Sequence, residues 1–149
     1  KGIEISYQQT FDESLPEFLH GLGVQANYAY TDSKFDDPDY SGLPFTGMSK
    51  HSYNLVGYYE KDRMQARVAY SWQGKSVSDP DAWGGANWIA PYGQLDISAS
   101  YKVTEQVTVF AEASNLTNAR YHQYVEREDQ ISYLSHFGRQ ISLGARFAF

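Results

Sequence analysis

The sequence predicts an all-β chain of antiparallel strands in an up-and-down order, and three observations support this fold class. Apolar and polar residues alternate over short runs along most of the 149 residues, which is the period of a strand with one apolar face. Charged residues within these runs fall on the polar face alone. The connections between the runs are alternately short and long.

The alternation predicts seven strands, each rich in β-branched or aromatic residues and bounded by turn-forming residues. Their apolar positions form what we call the dry face. In chain order they are Ile3, Ile5 and Tyr7; Val24, Ala26, Tyr28 and Tyr30; Tyr53, Leu55, Gly57 and Tyr59; Met64, Ala66, Val68, Tyr70 and Trp72; Leu95, Ile97, Ala99 and Tyr101; Val107, Val109, Ala111 and Ala113; and alternate residues of a last strand that starts near Arg139.

The connections distinguish a soluble sandwich from a membrane barrel, since a soluble antiparallel sheet also has one dry face. Outer-membrane barrels have short periplasmic turns and long extracellular loops, whereas a sandwich has no such asymmetry. The loop pattern therefore predicts a transmembrane β-barrel with outer-membrane lipid against its dry face. The short connections are 12–20, 61–63 and 104–106, and the long ones are 33–50, 74–92 and 117–137.

The C-terminus carries a polar residue, a glycine and two aromatic residues at fixed spacing, namely Ser142, Gly144, Phe147 and Phe149. This pattern resembles the signal by which bacterial outer-membrane barrels are handed to their assembly machinery. The resemblance implies a location in the bacterial outer membrane and makes the assembly machinery an expected partner. Since the last strand descends from a long loop to the C-terminus, Phe149 lies on the short-turn, periplasmic side.

Seven antiparallel strands cannot close alone, because the first and last run in the same direction and an open edge in lipid leaves backbone groups unpaired. A possible hairpin over 121–125 and 131–135 would add two strands and leave the count odd. The alternatives are an undetected eighth strand or a segment of a larger barrel.

Runs along the whole chain resemble the closing strands of TonB-dependent outer-membrane receptors: 53–61, 66–70, 94–101, 107–118 and 138–144. The resemblance implies that residues 1–149 are the C-terminal part of a single twenty-two-stranded barrel domain. The remaining strands and the plug domain, through which TonB acts, would lie upstream and are expected partners. The Asn115-Leu116-Thr117 sequon then corresponds to the exit of the penultimate strand rather than to a glycosylation site.

The resemblance implies a receptor that imports a scarce ligand with TonB-derived energy, without catalysis and without a cofactor. A ferric siderophore is the first expected cargo, and a carbohydrate or cobalamin-type ligand is the alternative. The rival class is a small self-contained outer-membrane barrel with an adhesin or structural role. A net charge of −6 without a Lys/Arg cluster argues against nucleic acid as a partner.

Two groups of residues are candidates for function. Loop residues that either bind ligand or pack their loops are Trp83, Trp88, Tyr124, Arg127, Tyr133 and His136. Charged residues of the polar face that would face the barrel lumen, toward the plug or the substrate path, are Glu4, Arg67, Asp96, Glu112 and Arg146.

No catalytic constellation and no metal site is predicted. The four histidines lack metal-ligand spacing. The acidic motifs 36–39 and 79–81 offer hard oxygen ligands for a divalent cation, or they are solvated turns, which is the ordinary role of Asp beside Pro.

Overall fold

A computed structural model describes residues 1–11, 15–82 and 84–149. Two short 3-10 helices, Glu17–Leu19 and Pro38–Tyr40, lie in connections. Within the described ranges no helix is long and apolar enough to cross a membrane. The strands are β1 (Gly2–Thr10), β2 (Leu22–Thr31), β3 (His51–Lys61), β4 (Met64–Gln73), β5 (Ser76–Ala82), β6 (Gly85–Ile89), β7 (Tyr92–Lys102), β8 (Val107–Ser114), β9 (Tyr121–Val125), β10 (Ile131–Ser135) and β11 (Gln140–Phe147).

Seven of these strands form one antiparallel sheet, the barrel sheet, in the order β1-β2-β3-β4-β7-β8-β11. They are the seven strands that the alternation predicts, so that prediction is confirmed. The sheet is open: among the described strands, β1 pairs with β2 alone and β11 with β8 alone. The unpaired edges agree with the expectation that seven strands cannot close by themselves.

The register keeps the predicted dry face continuous across the sheet, because directly paired residues point to the same side. One row crosses the sheet from Val24 through Gly57, Val68 and Ile97 to Ala113. Polar rows alternate with the dry rows, and Arg67 is paired with Ser98, which in turn is paired with Glu112. The sorting of charge onto one face is therefore a property of the folded sheet.

No layer formed by residues 1–11, 15–82 or 84–149 covers the dry face. Ile3 is 63% exposed, Ile97 38% and Leu143 79%. The buried hydrophobic residues among those described are Val77, Ala90 and Tyr124, and all three lie outside the barrel sheet. A soluble sandwich would bury this face against a second sheet, so the structure favours the membrane barrel over the sandwich.

The other four strands form a second antiparallel sheet, the outer sheet, in the order β10-β9-β6-β5. The possible hairpin over 121–125 and 131–135 exists as β9 and β10, but it pairs with β6 and does not extend the barrel sheet. The β5–β6 hairpin lies in a segment predicted as loop. Its bulges between Val77 and Asp79 and between Asp79 and Ala82 break the two-residue period that marks a strand.

Candidate ligand-binding rim and lumenal face

A polar network joins all four strands of the outer sheet. Asn87 on β6 donates from Nδ2 to Gln123 Oε1 on β9 at 2.8 Å, and Ser78 on β5 donates to the same oxygen at 3.3 Å. Ser132 on β10 donates to Asn87 Oδ1 at 2.7 Å. Gln123 in turn donates to the Tyr121 hydroxyl at 2.9 Å. Since these groups satisfy one another in a half-buried setting, they fix the two long loops as one unit.

The predicted aromatic residues of this region are used partly in packing. Trp88 on β6 is paired with Tyr124 on β9, and the Lys75 ammonium lies 4.6 Å from the centre of the Trp88 ring. Tyr124 is only 4% exposed. Its burial, and secondarily the Glu128 carboxylate, raise the pKa of the Tyr124 hydroxyl above its ordinary value. Trp83, the other ring of the predicted platform, lies outside the described residues.

Of the remaining loop candidates, Arg127 lies in the turn of the β9–β10 hairpin, Tyr133 lies on β10 and His136 directly follows β10. Arg127 forms a bidentate ion pair with Asp129, in which Nε donates to Oδ1 at 3.0 Å and Nη2 donates to Oδ2 at 2.8 Å. Tyr133 is 52% exposed and meets the Tyr121 ring edge-on at 6.0 Å. The His136 ring is exposed and bonds to Asn118 Oδ1 at 2.9 Å. Of the predicted loop residues that the structure describes, Tyr133 and His136 thus present the most accessible rings.

Asn115 ties the last long loop to the rim of the barrel sheet. Its side chain donates to Gly138 O at 2.9 Å and to Ala119 O at 3.2 Å, and it accepts from Ala119 N at 2.8 Å. Its backbone N–H donates to Asp96 Oδ1 at 2.9 Å. Because the side chain is 4% exposed and fully bonded, it is a structural anchor.

Two of the predicted lumenal charges are satisfied within the sheet. Glu4 accepts from Asn27 Nδ2 at 3.0 Å. Asp96 accepts from Gln94 Nε2 at 2.8 and 3.0 Å, besides the Asn115 N–H. These carboxylates therefore hold neighbouring strands and the rim together.

The other three lumenal charges have no such partner. The side chains of Arg67, Glu112 and Arg146 make no ion pair or hydrogen bond within residues 1–11, 15–82 and 84–149. All three line one trough on the polar face of the barrel sheet, where Tyr58 and Phe110 lie beside them. Charges left without partners on this face are available to a group that the described chain does not supply.

The structure does not gather a metal site. In the described part of the chain, no three His, Asp or Glu side chains lie close enough together to hold an ion. Asp37 Oδ1 accepts from Asp39 N, and Asp79 Oδ1 accepts from Asp81 N, each at 3.0 Å. The Asp37 contact caps the short Pro38–Tyr40 helix, which favours the turn interpretation of 36–39. The 79–81 motif instead lies at the bulges of β5, where its carboxylate bonds to the local backbone.

The residues of the C-terminal signal lie on or next to β11. Ser142 is paired with Glu112, Gly144 with Phe110 and Phe147 with Val107. Phe149 is fully exposed beyond the end of the strand. The polar residue and the glycine of the signal therefore face the lumen, whereas Phe147 lies on the dry face.

Sequence reasoning did not identify the network residues Ser78, Asn87, Gln123 and Ser132, nor the anchor role of Asn115. The network joins residues up to 45 positions apart, so no local pattern marks it. Asn115 carried one usable signal, since an Asn directly after a strand is a residue type that tolerates the left-handed conformation found here, with φ of 54°.

Comparison with known proteins agrees with this architecture. Residues 1–116 match the family described as TonB dependent receptor-like, beta-barrel. Two similar proteins, from two strains of Vibrio cholerae serotype O1, are each named iron-regulated outer membrane virulence protein. Each is 26% identical over 140 residues, which cover 91% of this chain and 20% of the relative.

The chain thus spans about a fifth of the length of these curated relatives. No solved structure matches it. The family match covers the first six of the seven barrel strands and ends directly after β8, and a barrel of this family explains the uncovered dry face and the charge-bearing lumenal face. The chain belongs to the TonB-dependent receptor β-barrel family of the bacterial outer membrane.

Proposed function

We propose that residues 1–149 are the C-terminal part of a receptor barrel that imports a ferric siderophore, energised by TonB through a plug domain. The observation that carries this proposal is the lumenal trough with three unpartnered charges, Arg67, Glu112 and Arg146. Unpartnered charges are costly in a closed interior unless a polar partner or water meets them. A plug domain inside the barrel supplies such a partner.

The outer sheet supports a role in ligand capture. Its polar network fixes two long loops in one arrangement, while Tyr133 and His136 remain exposed on it. A rigid scaffold that presents accessible rings suits recognition of an aryl-bearing ligand with little ordering cost. The names of the relatives, which describe iron regulation, point to iron complexes as the cargo class.

The ligand is tested by uptake in cells that express the full reading frame containing this chain. Cells supplied with a radio-iron-loaded catecholate siderophore should accumulate iron only when the receptor and TonB are both present. Tyr133→Ala and His136→Ala should weaken uptake, while Tyr7→Ala, which removes an exposed ring from the dry face, should not. Uptake of an oligosaccharide or cobalamin instead, with no iron accumulation, would replace the siderophore with that cargo.

Plug seating is tested with Arg67→Ala in the same full-length protein. Loss of a charge-assisted contact of about 1.5–3 kcal/mol should loosen the plug, so that a large antibiotic enters the cell while barrel assembly stays normal. Arg120→Ala is the matched control, because Arg120 is exposed in the last long loop and does not line the trough. Unchanged transport and unchanged permeability in Arg67→Ala would contradict the proposed plug contact.

A further inference from the structure

The apolar pattern of the terminal strand β11 determines which side faces lipid but does not determine its register. Its dry positions are Ile141, Leu143, Ala145 and Phe147, and its lumenal positions are Gln140, Ser142, Gly144 and Arg146. A slip by one residue would point the apolar side chains of the dry positions into the lumen. A slip by two residues keeps every side chain on its own face, and fluid lipid does not distinguish one apolar side chain from the next.

One contact distinguishes these registers. The Phe110 ring on β8 lies over Gly144, and a Cβ on Gly144 would come within 2.4 Å of Phe110 Cζ and 2.8 Å of Cε1. No side chain fits in that space without moving the ring. In either two-residue slip, Phe110 would face Ser142 or Arg146 instead, and both carry a Cβ. Gly144 is the only lumenal position of β11 that accepts the ring.

A second pair repeats the arrangement elsewhere in the barrel sheet. Tyr58 on β3 lies over Gly23 on β2, where a Cβ would be 2.2 Å from Tyr58 Cζ. Gly23 is likewise the one lumenal residue of β2 without a Cβ. The Tyr58 hydroxyl reaches across it to Thr10 Oγ1 on β1 at 2.9 Å. Packing an aromatic ring over a glycine of the neighbouring strand is a known means of fixing register in sheets.

Glycine alone does not make such a contact. Gly57 lies on the dry face between Val24 and Val68, and a Cβ there would meet nothing within 4 Å. The two lumenal pairs therefore differ from this glycine in what covers them, not in residue type.

We propose that Phe110 and Gly144 form a cross-strand lock that selects the register of the terminal strand when the barrel assembles. On this view the glycine of the C-terminal signal has a partner within the chain, independent of any contact that the assembly machinery makes with it. The proposal rests on the barrel sheet and not on the identity of the ligand.

The test measures the register of β11 against β8 in the full-length protein, assembled in its host membrane. The chain has no cysteine of its own, so introduced pairs can be followed by disulfide formation. Ala113→Cys with Ile141→Cys reports the native register, since these residues are paired. Ala113→Cys with Leu143→Cys, or with Arg139→Cys, reports a slip by two residues in either direction.

We expect Phe110→Ala and Gly144→Val each to shift the disulfide from the native pair to a slipped pair. Gly57→Val is the matched control and should keep the native pair. The swap Phe110→Gly with Gly144→Phe, which places the ring on the other strand, should restore the native pair and the amount of assembled barrel.

Two results would overturn the lock. One is retention of the native pair at full yield in both single variants. The other is a swap that is no better than Gly144→Val, because a glycine needed only by the assembly machinery is not replaced by moving the ring. Ligand uptake enters neither readout, so failure of the lock leaves the proposed cargo untouched, and failure of the cargo leaves the lock standing.

Discussion

Arginine placed on neighbouring positions of β7 should have opposite consequences, because adjacent residues of a strand face lipid and lumen in turn. Ile97 lies at the centre of β7 on the dry face, paired with Val68 and Ala113. Arginine at the midplane of a barrel's lipid face costs about 2–4 kcal/mol. That cost lowers the folding equilibrium constant by roughly 30- to 700-fold, since each 1.4 kcal/mol is a factor of ten.

Ser98→Arg is the matched control. Ser98 is the next residue of the same strand, lies on the lumenal face and is paired with Arg67 and Glu112. A new arginine there faces water and lies between the Glu112 carboxylate and the like charge of Arg67. These two electrostatic effects oppose each other, so the cost should stay within about 1 kcal/mol. The assay is the urea midpoint of the full-length protein refolded into lipid vesicles, with the heat-modifiable gel band as a check. Equal destabilisation by the two variants would refute the assignment of the faces.

Two further predictions concern the loops. Asn115→Ala removes the hydrogen-bond partners of Ala119 N and Gly138 O and should cost about 1–3 kcal/mol of local stability. The loss should appear as faster protease cleavage within 117–139. Asn54→Ala, on the exposed lumenal face, is the control, and equal cleavage rates in the two variants would contradict the anchor role. Because burial raises the folded-state pKa of Tyr124 above 10.0, the stability of the outer sheet should be complete below that pH and decline as pH rises through the folded value. Tyr124→Phe should remove this alkaline loss in a hydrogen-exchange titration, and an unchanged profile would count against it.

The sequence predicted the barrel sheet well because lipid imposes a strict rule on each strand. A charged residue such as Arg67 or Asp96 has only one tolerable face, so the two-residue period survives in the sequence and each strand can be found locally. The outer sheet is formed by the long loops, which lie in water, so its strands have no lipid-facing side from which charge is excluded. In β5, Pro80 lies between two aspartates that both suit a turn, so a strand there has no local signature.

The candidate site was predictable only in part. The lumenal position of Arg67, Glu112 and Arg146 follows from the two-residue alternation of side chains along each strand. Their lack of partners does not, because it depends on which strands adjoin, and β4 pairs with β7 across eighteen intervening residues, 74–91, of loop and outer sheet. The fit of Phe110 over Gly144 likewise depends on cross-strand register, which no single strand's sequence encodes.

One face of the barrel sheet meets lipid, and the other meets an aqueous or protein-filled lumen. The most direct measurement is a spin-label accessibility scan along β7 in membranes, with cysteine introduced singly at each residue from 95 to 100 of the full-length protein. Labels at 95, 97 and 99 should collide often with dissolved oxygen, while labels at 96, 98 and 100 should collide with it less often. Uniform accessibility along the strand, or oxygen collisions at the even positions, would contradict this arrangement of the faces.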